Sequence, residues 1–240
     1  MTTYVLVHGA WHDGATMEET AEHIRALGHA VHTPTNAGNR QGADRTAGLE
    51  ADVAGLVAWI EGEGLRDVVL VGHSYGGMLI TAAADRLPEG TVARLVYWSA
   101  FVPEDGESLI DLIPEPVAAL FRELSGGSGP FELPFPVWRE GFMNDADEAL
   151  ARAAMARLNP QGYETFADKI RLTRPPAALP IPKSYLHCQE DLALPPAMPW
   201  FPRMADRLGP YRYVWMPGGH EVCFTNPALL AEKIVAAGRP

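Results

Sequence analysis

A single serine stands between glycines in Gly72-His73-Ser74-Tyr75-Gly76, directly after the apolar run Val68 to Val71. The pattern fits G-x-S-x-G, with a strand-like segment before it and a helix-like segment after it. In that context a sharp turn lifts a nucleophile off a sheet edge. The turn strains the serine backbone and crowds the positions two before and two after it, which glycine relieves. A serine hydroxyl is a poor nucleophile at neutral pH, so it needs a base in hydrogen-bond reach and an acid to orient that base. Of the eight histidines, His220 is best placed: "PGGHEVCF" lies between the last strand-like run and the last helical one, and two glycines let the loop bend. His73 reads as a packing residue. His8 and His12 are spaced like metal ligands, but "HGAWH" contains a glycine, ends a strand and offers no third ligand, so no metal is expected. The orienting acid is expected at Asp191 in Gln189-Glu190-Asp191, with Glu190 beside it and Asp105 as the alternative. An oxyanion needs N–H donors, and the backbones of Tyr75, after the serine, and of Ala10, in "HGAW", are the candidates.

The positioning elements follow from the hydrophobic pattern. The runs Tyr4 to His8, Ala30 to Thr33, Asp67 to Gly72 and Ala93 to Ser99 are nearly continuous in apolar residues, as strands of a parallel sheet buried on both faces must be. Between them, Thr16 to Leu27, Leu49 to Ile60 and Tyr75 to Leu87 carry apolar residues at helical spacing. After Phe101 the rhythm breaks. Residues 103–182 are rich in Pro, Phe and acidic residues, with helical patches at Pro116 to Leu124 and Glu148 to Leu158 and no strong strand. The sheet resumes with "KSYLHC" at 183–188, a helix within 197–208, "YRYVWM" at 211–216 and a last helix at 227–237. The reading is a doubly wound α/β fold: a mostly parallel sheet of about six strands built from residues 1–102 and 183–240, with 103–182 inserted as a helical cap.

The chain has 240 residues, a length suited to one α/β domain with an insertion. Its net charge of -11, with Lys and Arg scattered, leaves no nucleic-acid footprint and disfavours anionic membranes. Two cysteines without ligand spacing argue against a disulfide scaffold or a structural zinc site. No basic leader and no apolar run of roughly 20 residues precede or cross this pattern, so a cytoplasmic protein is expected. A homodimer is left open.

"YVLVHGAWHDGATM", "VVLVGHSYGGM", "HCQED" and "PGGHEVCFTNPALLAE" together resemble the α/β-hydrolase superfamily. More narrowly they resemble the branch of plant methyl esterases of the salicylate-binding and methyl-jasmonate type, hydroxynitrile lyases and small bacterial esterases. The resemblance covers about two thirds of the chain, sparing the cap. It implies Ser74 as nucleophile, His220 as base, Asp191 as orienter and the Ala10 and Tyr75 N–H groups as the oxyanion hole, with no cofactor. The lyases carry a lysine after the catalytic histidine. Here Glu221 stands there, and a carboxylate would repel cyanide. The expected activity is cleavage of a carboxylic ester of a small molecule through an acyl-enzyme. Its rivals are a lactonase or C–C bond hydrolase on the same triad, and a hydrolase-like receptor with little turnover. Trp11 and the cap aromatics Phe121, Trp138 and Phe142 are expected to line an apolar pocket.

Overall fold

The computed structural model describes residues 1–240. Eight strands form: β1 (Thr3–Val7), β2 (Ala30–His32), β3 (Val68–His73), β4 (Val92–Trp98), β5 (Pro130–Phe131), β6 (Gln161–Gly162), β7 (Lys183–Cys188) and β8 (Arg212–Met216). Six of them make one sheet in the order β2-β1-β3-β4-β7-β8, and every pairing in it is parallel. The continuous apolar runs explain this. In β1, Val5 and Val7 enter one core while Tyr4 and Leu6 enter the other. In β3, Val68 and Leu70 oppose Val69 and Val71 in the same way, and in β4 Leu95 and Tyr97 oppose Val96 and Trp98. Successive side chains point to opposite faces, so a strand apolar at every position is stable only when both faces are covered.

Helices α1 (Glu18–Ala26) and Pro227–Gly238 cover the face with the smaller core of 19 buried residues. Helices α2 (Gly48–Gly62) and α3 (Gly76–Arg86) cover the other, whose core of 47 buried residues continues into residues 103–182. In α2 the stripe Leu49, Val53, Leu56 and Ile60 is buried. Gly76 to Ala84 of α3 are buried on every side, because this helix lies deep against the sheet. The chain runs from β1 outward to β2, then back across to β3. The strand order therefore reverses between β1 and β3, and their following loops diverge at the C-terminal edge, where open α/β sheets bind ligands.

Residues 103–182 add no strand to the large sheet. They contain α4 (Glu115–Ser125) and the helix Glu148–Met155, whose N-cap Asp147 accepts from the Leu150 N–H. Two features there escape periodicity: a π-helical turn at Trp138–Phe142, and the antiparallel pair β5–β6. The helix expected within 197–208 reduces to a 3₁₀ turn at Ala205–Leu208. Pro195, Pro196, Pro199 and Pro202 lack the N–H groups that a longer helix would require. No helix is long and apolar enough to cross a membrane.

The crossing of β1 and α3 leaves no room for a side chain. A Cβ at Gly76 would lie 2.5 Å from the Val7 carbonyl oxygen. Gly76→Ala is expected to cost about 1–3 kcal/mol through overpacking. A urea titration checks this: the midpoint falls with the slope unchanged.

Candidate active site

Ser74 follows β3 in the left-handed region, at φ 52°. A non-glycine residue there is strained, and the surroundings hold it in place. Its N–H donates to Trp98 O at 3.3 Å, and its carbonyl accepts from Gly77 at 3.0 Å and Phe101 at 3.1 Å. Trp11, at φ 63°, and Ser99, at φ 40°, are strained at the C-terminal ends of the flanking strands. Gly9 brings the β1 loop against the turn: a Cβ there would sit 3.2 Å from the Cβ of Ser74. Ala10 and Tyr75 both line the cavity that holds Ser74. Neither of their backbone N–H groups is engaged by a protein acceptor. Two buried, unspent donors beside a hydroxyl are the arrangement that an oxyanion would satisfy.

His220 and Asp191 meet, as the sequence predicts. The His220 Nδ1 lies 2.6 Å from Asp191 Oδ2, and both side chains are 1% exposed. Burial disfavours the imidazolium, but the Asp191 charge and hydrogen bond, with the Glu221 charge, outweigh it and raise the His220 pKa above its usual value. The ring is held flat by Trp200, stacked at 5.2 Å and 17°, and edge-on by Phe142 at 5.4 Å. Glu190 is exposed, and Asp105 is exposed and accepts from the Leu172 N–H instead, so neither alternative acid reaches His220.

Three loops are tied together by residues that the sequence presented differently. His12 Nε2 lies 3.1 Å from Glu221 Oε2, both side chains buried. His12 Nδ1 donates to the Ala10 carbonyl at 2.6 Å. His12 thus links the loop of His220 to the loop of Ala10. Burial opposes its charge, but Glu221 raises its pKa overall. The reverse balance, burial against the charge and hydrogen bond of His12, pulls Glu221 below the carboxylate range. Glu221 therefore pairs with His12 and does not line the cavity, where its sequence position had it repel cyanide. Cys223 points its thiol at the same carboxylate, at 3.6 Å, so His12 does have acidic and sulfur neighbours that spacing could not reveal. His8 is apart from them, with Nε2 accepting from the Asn36 N–H. His73 packs on Trp98 at 3.9 Å and donates from Nε2 to the His220 carbonyl at 3.1 Å. Burial holds it neutral. Asp145, which nothing in the sequence distinguished, accepts from the Gly219 N–H at 2.9 Å and the Thr225 hydroxyl at 2.8 Å.

Ser74 is the one non-hydrophobic residue among the 14 that line the cavity. Trp11, Phe121 and Phe142 line it as expected, and Phe166, Leu194 and Trp200 join them. Trp138 does not. Its indole N–H donates to Ala151 O and its ring stacks on Phe142, so it braces the wall from behind. Tyr75 also lines it, and its hydroxyl donates to the buried Asp52 at 2.9 Å. Both cysteines are free and buried.

Fold and site define a class, and the comparisons agree with it: residues 4–233 match the model of the alpha/beta hydrolase family, and the chain belongs to that family. It is 36% identical over 253 residues to a carbendazim hydrolyzing esterase of Nocardioides sp. (strain SG-4G), covering 99% of this chain and 100% of that protein. It is 26% identical to Methylesterase 4 of Arabidopsis thaliana, over 82% of each chain. Among solved structures, an extracellular alpha/beta-hydrolase from a Paenibacillus species superposes with a TM-score of 0.95 at 34% identity, covering 100% of both chains. That protein is described as sharing structural and functional homology with tobacco salicylic acid binding protein 2. Relatives from the branch that the motifs suggested thus include a bacterial esterase matched over 99% of this chain and a plant methylesterase matched over 82% of it.

The His12–Glu221 pair should matter for stability. Glu221→Ala leaves a buried histidine uncompensated, at an expected cost of about 3–5 kcal/mol. The depressed carboxylate contributes above its unfolded value of about 4 and loses that contribution as pH falls through its folded value. The raised histidine contributes fully below about 6.5 and loses its share as pH rises through its folded value. Urea unfolding of both proteins should therefore show the largest gap between these limits and a smaller gap near pH 3.

Proposed function

We propose that this hydrolase cleaves carboxylic esters of small, apolar or aromatic molecules through an acyl-enzyme on Ser74, without a cofactor. The observation that carries the reading is a strained serine with two unspent N–H donors on one apolar cavity, and a buried Asp191–His220 pair packed against Trp200 and Phe142 of that cavity's wall. The esterase relatives support it. In this mechanism Ser74 attacks the ester carbonyl while His220 takes its proton through Nε2. Asp191 keeps Nδ1 protonated and stabilises the imidazolium that forms. The oxyanion rests on the Ala10 and Tyr75 N–H groups. His220 returns the proton to the leaving alcohol, and water, activated by the same base, hydrolyses the acyl-enzyme. Residues 103–182 act as the cap that supplies the apolar wall, which excludes water and strengthens every charge interaction inside. The small-molecule substrate is the only partner this reading requires, and a cytoplasmic setting remains part of the proposal.

Intact mass after treatment with a small fluorophosphonate tests the nucleophile. One adduct on the wild type and none on Ser74→Ala is expected. No adduct on either folded protein overturns the reading and favours a ligand-binding receptor. A panel of simple esters, lactones and β-diketones then assigns the bond: turnover confined to the lactones or diketones would sink the ester assignment.

The pH dependence follows from Asp191. His220 accepts a proton only when neutral, so kcat/KM should rise with pH through its raised pKa. Asp191→Asn removes the charge that raises it, and should move the acid limb downward while lowering turnover by roughly 10⁴-fold. A pH–rate profile of both proteins reads both effects.

A further inference from the structure

The cavity at Ser74 is small, with a volume of about 30 Å³. A long acyl arm therefore needs space beyond its present wall. Trp11 lines both this cavity and a second one of about 160 Å³, together with Leu133, Met155, Leu158, Asn159 and Glu132.

Trp11 is built as a partition. Its backbone is pinned in the left-handed region, with its N–H donating to Gln161 Oε1 at 2.9 Å and its carbonyl accepting from the Asn159 N–H at 2.6 Å. Gln161 is held in turn: its Oε1 also accepts from Asn39, and its Nε2 donates to Thr165. The side chain is held differently. The indole meets Phe121, Phe131, Phe142 and Phe166 only through edge contacts at 5.6–5.8 Å, and its buried N–H has no acceptor. An unpaired buried donor is costly, and a ligand oxygen arriving beside it would remove that cost. The backbone that carries the Ala10 N–H is thus fixed by hydrogen bonds, whereas no hydrogen bond fixes the indole.

We propose that the second cavity is a subsite for an extended arm of the ester's acyl group, reached when the Trp11 indole swings aside. The proposal rests on the ester reading above. Leu133, Met155 and Leu158 supply an apolar wall for an alkyl or aryl arm. Glu132, exposed at the rim, and Asn159 favour an uncharged polar or cationic end over an anionic one.

The test compares kcat/KM for p-nitrophenyl acetate and p-nitrophenyl decanoate. Leu158→Trp and, separately, Met155→Trp fill the second cavity without touching the first. Each is expected to lower decanoate hydrolysis by about tenfold or more while acetate hydrolysis keeps its wild-type value. Trp11→Gly, which suits the left-handed backbone, is expected to raise the decanoate-to-acetate ratio by about tenfold. Adding Leu158→Trp to it should cancel that rise. A decanoate-to-acetate ratio unchanged in both filling variants, with acetate turnover intact, overturns the subsite and leaves the ester reading standing. Absence of acetate and decanoate turnover in the wild type overturns the ester reading itself.

Discussion

The left-handed backbone of Ser74 is the constraint on which the rest of the site hangs. At φ 52° a residue with a side chain is held against its preference. It stays there because its peptide groups bond to Trp98, Gly77 and Phe101 while glycines clear the space around it. That local cost aims the hydroxyl away from the sheet and frees the Tyr75 N–H. It also lets α3 begin immediately, with its first residues packed against the Val7 carbonyl. A softer turn would lose the hydroxyl's direction and the close approach of the β1 loop together.

Around this turn, precision comes from ties between loops, since each loop alone would be mobile. His12 joins Glu221 to Ala10, His73 joins the serine turn to the His220 carbonyl, and Asp145 fastens Gly219. In the proposed mechanism a base must reach its nucleophile within hydrogen-bond distance, so fixing the loops relative to one another would serve that chemistry. Dividing the charges helps as well. Glu221 is matched with His12 and Asp191 with His220, so His220 faces one carboxylate directly while the second is compensated behind it.

The apolar lining gives the same pair its strength. With Ser74 the one non-hydrophobic residue at the wall, the Asp191–His220 interaction and the two free N–H donors act in a medium that screens little. The stacked Trp200 and edge-on Phe142 exclude water from the histidine ring and fix its plane.

The sequence by itself determined the sheet, the turn and the pairing of Asp191 with His220. Continuous apolar runs specify buried parallel strands because every position needs cover, and Gly72 and Gly76 mark a turn because only glycine tolerates such crowding. Asp191 and His220 were legible because each sits just beyond a strand, where a parallel sheet gathers its loops. Tertiary structure alone decided the rest. Glu221 looked like a pocket residue and became half of a buried ion pair, because its partner His12 lies more than two hundred residues away in the chain. Trp138 looked like pocket lining and became a brace, because a π-helical turn, invisible to periodicity, rotates it onto Ala151. The proline-rich stretch before Ala205 gave up its helix yet supplied Trp200 to the histidine, a contact no local pattern encodes. Local sequence carries backbone preference and burial; which distant side chains finally meet depends on packing between elements, and that exists only in the folded chain.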